Sequence, residues 1–150
     1  MIEKVVSGGQ TGVDRAALDT TLELEISCGG WCPKGRQAED GPLDGTYPLQ
    51  ETPSSRYTQR TEWNVRDSDG TLVLYRELLT GGSAYTVELA QKYDRPCLVL
   101  DLSTKLTRET IWEWINRYQI RILNVAGPRE SGSPGIYQEA YQLLREVLSD

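Results

Sequence analysis

Short apolar runs that end in glycine alternate along this chain with stretches whose apolar residues recur at helical spacing. Residues 2–7 form a β-branched run closed by Gly8 and Gly9, the pattern of a buried strand. Ala17, Leu18, Thr21 and Leu22 then set an amphipathic helix over residues 14–24, with the acid Asp14 in its first turn. Residues 26–29 read as a second strand. The pattern breaks from Trp31 to about Thr58, a polar stretch rich in Gly and Pro that is long for a plain connection; its aromatic and charged residues predict an ordered loop covering the site. Periodicity then resumes. Helices are predicted over residues 55–66, 83–93, 107–118 and 136–148, and strands over 71–75, 96–102 and 120–126.

Alternating strands and helices mean a parallel sheet covered on both faces. Right-handed crossovers leave few topologies, and the expected architecture is α/β, a doubly wound parallel sheet of about five strands. A length of 150 residues with 38% hydrophobic positions fits a single domain spanning 1–150. No internal repeat, coiled coil or low-complexity segment interrupts it.

Open sheets of this class bind ligands beyond the carboxyl ends of their strands. Three strands here run into glycine-bearing turns that open helices: Ser7-Gly8-Gly9-Gln10-Thr11-Gly12-Val13-Asp14, Thr80-Gly81-Gly82-Ser83-Ala84-Tyr85-Thr86, and Ala126-Gly127-Pro128-Arg129-Glu130-Ser131-Gly132. In a 2-1-3-4-5 strand order the first two would meet across the switch point. Glycines let backbone N–H groups approach a phosphate, and helix N-termini favour an anion. Thr11, Ser83 and Thr86 add hydroxyl donors. Neither the P-loop pattern nor G-x-G-x-x-G is present, which disfavours a dinucleotide-dependent dehydrogenase.

Composition narrows the chemistry. The chain has no histidine, so a Ser-His-Asp triad, a Cys-His dyad and an imidazole proton shuttle are all excluded. With 16 Lys and Arg against 22 Asp and Glu the net charge is −6, which argues against general nucleic-acid binding but leaves room for a small basic pocket. No stretch has the roughly 20 apolar residues of a membrane span, and the N-terminus lacks the apolar core of a signal peptide; a cytoplasmic protein is expected. Cys28, Cys32 and Cys97 suggest reduced, space-filling thiols rather than a metal or disulfide framework.

The segments SGGQTGVDRAALD (residues 7–19), CGGWCPKGRQAEDG (28–41) and RTEWNVRDSDGTLVL (60–74), with the Gly81-Gly82 turn, resemble the molybdenum cofactor carrier family. That family belongs to a Rossmann-like superfamily with the lysine-decarboxylase-like phosphoribohydrolases and DNA-processing protein A. The resemblance implies a homo-oligomeric carrier holding an anionic pterin-phosphate cofactor, or another phosphorylated small molecule, at the carboxyl edge of the sheet. The cytokinin-activating phosphoribohydrolases imply an alternative, cleavage of the N-glycosidic bond of nucleotide 5′-monophosphates: Arg60 and Glu88 match their reactive positions, while Thr80, Ala84 and Tyr85 stand where their motif has Pro, Gly and Thr. A nucleotide-sensing regulatory module is a third reading.

Binding candidates are therefore Gly8, Gly9, Gln10, Thr11, Gly12, Asp14, Lys34, Arg36, Gly81, Gly82, Ser83, Thr86 and Arg129. Lys34, Arg36 and Arg129 would close cations over an oxyanion, the arginines by a bidentate fork. Asp14 either faces a ribose, a pterin or Mg²⁺, or simply complements its helix dipole. Trp31 and Trp63 offer flat faces for a heterocycle, whereas Trp112 and Trp114 lie on an amphipathic helix and read as core or subunit interface.

Overall fold

The computed structural model describes residues 1–149. The chain opens with β1 (Lys4–Val6), α1 (Val13–Glu23) and β2 (Cys28–Gly29), then passes through two short strands, β3 (Trp31–Cys32) and β4 (Gln50–Glu51). There follow α2 (Tyr57–Arg66), β5 (Gly70–Tyr75), α3 (Gly81–Lys92), β6 (Cys97–Asp101), α4 (Arg108–Arg117), β7 (Ile122–Ala126) and α5 (Ile136–Leu148). Each predicted helix and strand is present, with ends shifted by up to two residues.

The main sheet has five parallel strands in the order β2-β1-β7-β5-β6. This corrects the expected 2-1-3-4-5 order, because the last strand inserts between β1 and β5. Asp69, one residue before β5, helps set that register: its Oδ2 accepts the N–H groups of Arg121 at 3.1 Å and Ile122 at 2.8 Å. Connections running toward β2 carry α1 and α4, and α5 packs on both; connections running toward β6 carry α2 and α3, which pack on each other. Right-handed crossovers require this division of the helices between the two faces.

Val5, Leu72, Leu74, Leu123 and Val125 of the sheet are fully buried, as strands covered on both faces must be. Helix α5 meets them with Ile136, Ala140, Leu144 and Val147, a stripe at helical spacing. Truncating one such residue, Leu144→Ala, costs about 2–5 kcal/mol. Trp114 is buried in this core, and Trp112 lies over the end of α5, donating its indole N–H to Val147 O at 2.8 Å.

The long polar loop is ordered, but it does not cover the site. Paired β3 and β4 close its base. Arg36, at φ +54°, spends its guanidinium on the carbonyls of Leu43, Asp44, Tyr47 and Leu49 at 2.8–3.4 Å. Leu43 and Leu49 join Leu18, Cys32 and Ala38 in a second small core. The loop thus buttresses α1 and the first glycine turn from behind, because its apolar residues bury there.

Candidate functional site

Since β1, β7 and β5 are neighbours, their carboxyl ends bring all three glycine-bearing turns to one edge. The first and third are stitched together: the Val13 N–H donates to Pro128 O at 3.2 Å. Gly12 has φ +79°, and a methyl there would lie 2.2 Å from that same carbonyl, so a side chain is barred on both counts. Glu39 ties the turns from outside. Its carboxylate accepts from the Thr11 hydroxyl and from the Ser131 hydroxyl and N–H, and the two hydroxyls hold its carboxyl below the usual carboxylate range.

Between the third turn and the start of α3 lies a cleft of about 530 Å³. Helix α2 contributes Tyr57, Thr58, Arg60 and Thr61; the segment after β5 contributes Arg76 and Leu78, and the second turn Gly81 to Ser83 with Tyr85 behind them; the third turn contributes Gly127 to Arg129. Arg60, Arg76 and Arg129 all line this cleft, and no carboxylate does. The acids that pair with two of them, Glu139 with Arg76 at 2.7 Å and Glu39 near Arg129 at 3.7 Å, stand outside the lining. A smaller chamber of about 60 Å³ shares Arg60, Thr61, Gly82 and Gly127 with the cleft and adds Gly8, Asp14, Asn64, Thr86 and Asn124.

Arg60 and Asp14 form a buried ion pair at the wall between the two spaces, Nη1 to Oδ2 at 2.9 Å. A methyl on Gly8 would sit 1.8 Å from that Nη1, so the guanidinium occupies the room a side chain would need. Arg60 Nε donates to Tyr57 O at 3.3 Å, and the guanidinium lies 5.2 Å from the Tyr57 ring centre. Burial pushes the Asp14 carboxyl above its ordinary range, opposed chiefly by the Arg60 charge and then by the Gln10 N–H.

The predicted binding residues separate into two groups. Gly8, Asp14, Gly81, Gly82, Ser83, Thr86 and Arg129 line the cleft or the chamber, as does Gln10, whose Oε1 also accepts the N–H groups of Thr11 and Glu39. Gly9, Thr11 and Gly12 instead hold turns together; Gly9 packs under Leu43 and Leu49 and gives its carbonyl to Arg15. Lys34 is exposed and Arg36 is spent on loop carbonyls, so neither lines these spaces. Arg60 reaches the site, but Glu88 is exposed on α3 and lines neither space. Lys92, four residues on, pairs with Glu62 rather than with Glu88. Trp31 and Trp63 face each other edge to face at 4.8 Å, outside both spaces.

The aromatic walls of the cleft are Tyr57 and Tyr85, which motif reading passed over. A signal was available: Tyr57, Arg60, Thr61 and Asn64 fall at i, i+3, i+4 and i+7, one face of α2. Arg76, directly after β5, carried no motif.

The family model of the circularly permutated YpsA SLOG family matches residues 5–148. The chain belongs to this family. A comparison with curated proteins gave no match. A crystal structure from Syntrophus aciditrophicus SB, described as a putative molybdenum carrier protein, is 48% identical and superposes with a TM-score of 0.95, over 99% of this chain and 96% of that one.

The strand order agrees with a circularly permutated YpsA fold. Counting strands from β5 through β6 and β7 and on to β1 and β2 turns β2-β1-β7-β5-β6 into 2-1-3-4-5 read from the other edge, the expected doubly wound order. Among the described residues no three His, Cys, Asp or Glu side chains converge as a metal-ligand set.

Proposed function

We propose that the cleft binds a phosphorylated heterocycle and carries it without chemical change, the molybdenum cofactor being the foremost ligand of this class. One observation bears the reading: three arginines and no carboxylate line a cleft on a chain of net charge −6. The start of α3 adds to it, because Thr80 caps that helix without a side-chain hydrogen bond and leaves the N–H groups of Gly81 to Ser83 for a ligand oxygen. Tyr57 and Tyr85 supply flat apolar surface for the ring. The description of the similar Syntrophus protein as a molybdenum carrier supports the same reading.

The hydrolase reading draws no such support, since Glu88 stands outside both spaces and Asp14 is tied to Arg60. The carrier reading includes a homo-oligomer, measurable by light scattering, and a cytoplasmic location; no helix among the described residues is long and apolar enough to cross a membrane.

Thermal-shift and native mass spectrometry tests should use molybdopterin, nucleoside monophosphates, molybdate and inorganic phosphate. A phosphorylated heterocycle is expected to bind the wild-type chain and to bind about tenfold or more weakly when Arg129 and Arg76 are both changed to Gln. Absence of binding by every phosphorylated heterocycle would overturn the reading.

A further inference from the structure

The inner chamber differs in charge from the cleft above it. Arg76 and Arg129 line the cleft alone, whereas the chamber holds one guanidinium and one carboxylate already paired. A phosphate pressed into the chamber would lie against Asp14, so the phosphate belongs in the cleft and the chamber suits an uncharged polar end of the same ligand.

The hydrogen-bonding capacity left over in the chamber is specific. Arg60 spends Nη1 on Asp14 and Nε on Tyr57 O, and its Nη2 has no partner among the described residues although the side chain is only 10% exposed. No buried side-chain nitrogen or oxygen among the described residues lacks a partner, so this Nη2 is reached by solvent and is free to donate to a ligand in its place. The Asp14 carboxylate accepts from Arg60 at Oδ2, which leaves more than half of a carboxylate's four or so lone-pair sites open. Asn124, 2% exposed, has one end of its amide on Thr71 at 3.2 Å and the other end without a partner among the described residues. Acceptor positions therefore adjoin a forked donor.

We propose that this chamber reads the 2-amino-4-oxo edge of a guanine- or pterin-type ring, Asp14 accepting the ring N–H and the amino group while Arg60 Nη2 donates to the ring oxygen. The inference rests on the binding function above and deepens it by assigning which end of the ligand enters first. The ring edge lies innermost, the ring passes the tyrosines, and the phosphate stays at the mouth by Arg129. Adenine, with no N–H beside its amino group in this pattern, and rings with an oxo group in place of the amino group leave Asp14 facing an acceptor.

The test is a ligand series on the wild-type chain by calorimetry, which requires no variant to fold. GMP is compared with IMP, XMP, AMP and 2′-deoxy-GMP, and 6-hydroxymethylpterin with 6-hydroxymethyllumazine. The amino-oxo member of each set is expected to bind about tenfold or more tighter than its counterparts, with 2′-deoxy-GMP equal to GMP. Asp14→Asn, in samples whose circular dichroism matches wild type, should erase that preference. Equal affinity across the bases overturns the edge assignment and leaves the binding function standing. Loss of affinity for 2′-deoxy-GMP without base preference places the ribose in the chamber and likewise overturns it. Failure of every phosphorylated heterocycle to bind overturns both.

Discussion

Arg60 Nη1 donates to Asp14 Oδ2 at 2.9 Å although 46 residues separate them, joining helix α2 on one face of the sheet to helix α1 on the other. The pair is buried on both sides. Removing one member leaves the other charge uncompensated, so Arg60→Met should destabilise by about 3–5 kcal/mol in denaturant titration. The double variant Asp14→Leu with Arg60→Met should recover much of that loss, because no lone buried charge remains. Recovery in stability without recovery of ligand binding is the expected pattern.

Gly8 and Gly82 both border the chamber but answer differently to a methyl. At Gly8 the methyl meets Arg60 at 1.8 Å, and Gly8→Ala should cost about 1–3 kcal/mol as an overpacked site. At Gly82 nothing lies within 4 Å. Gly82→Ala should therefore leave thermal stability unchanged or raise it by about 0.4–1 kcal/mol, while lowering ligand affinity by narrowing the cleft. Paired melting and binding curves check this.

Arg36 is a loop organiser. A lysine keeps the charge but lacks the planar fork that serves four carbonyls at once. Arg36→Lys should speed limited proteolysis between residues 37 and 48 several-fold, with little change in the melting of the sheet core, whose main cluster of apolar residues is separate from the one the loop joins.

Alkaline pH reaches the protein through Asp19, which accepts the phenol groups of Tyr47 at 2.6 Å and Tyr137 at 2.5 Å. Burial and the Asp19 carboxylate push Tyr47 up from 10.0 to about 12, and Tyr137 upward as well. A raised folded value means that the unfolded chain loses the phenol proton first. Stability is therefore intact below pH 10 and falls as pH rises from 10 toward 12. Melting temperatures across that window should drop more steeply for wild type than for Tyr47→Phe, and tyrosinate absorbance should show a late-titrating fraction.

The elements were legible because strand and helix periods differ and glycine punctuates them, so even α5 came out at its observed bounds. Strand order was not, since the pairing of β7 with both β1 and β5 depends on contacts such as Asp69 with Ile122, which leave no local pattern. The glycine turns do meet at one edge of the sheet, and parts of all three line the cleft or the chamber there. Arg36 and the tryptophans misled for a shared reason: a cation or a flat ring in a loop serves a ligand and the loop's own backbone equally well, and here Arg36 found carbonyls while Trp31 found Trp63. Tyr57 and Arg76 reach the cleft from positions whose motifs carry no chemistry.

The place of β7 bears on how the chain is made. Residues 122–126, the strand bonded to both β1 and β5, are synthesised after every other strand. Until they leave the ribosome, the β1-β2 pair and the β5-β6 pair expose the edges that β7 will join, and neither has a partner for its inner side. Folding of the sheet is thus a late, whole-chain event governed by distant pairings, and the nascent chain depends on speed of closure or on chaperones to keep two sticky edges apart from those of its neighbours.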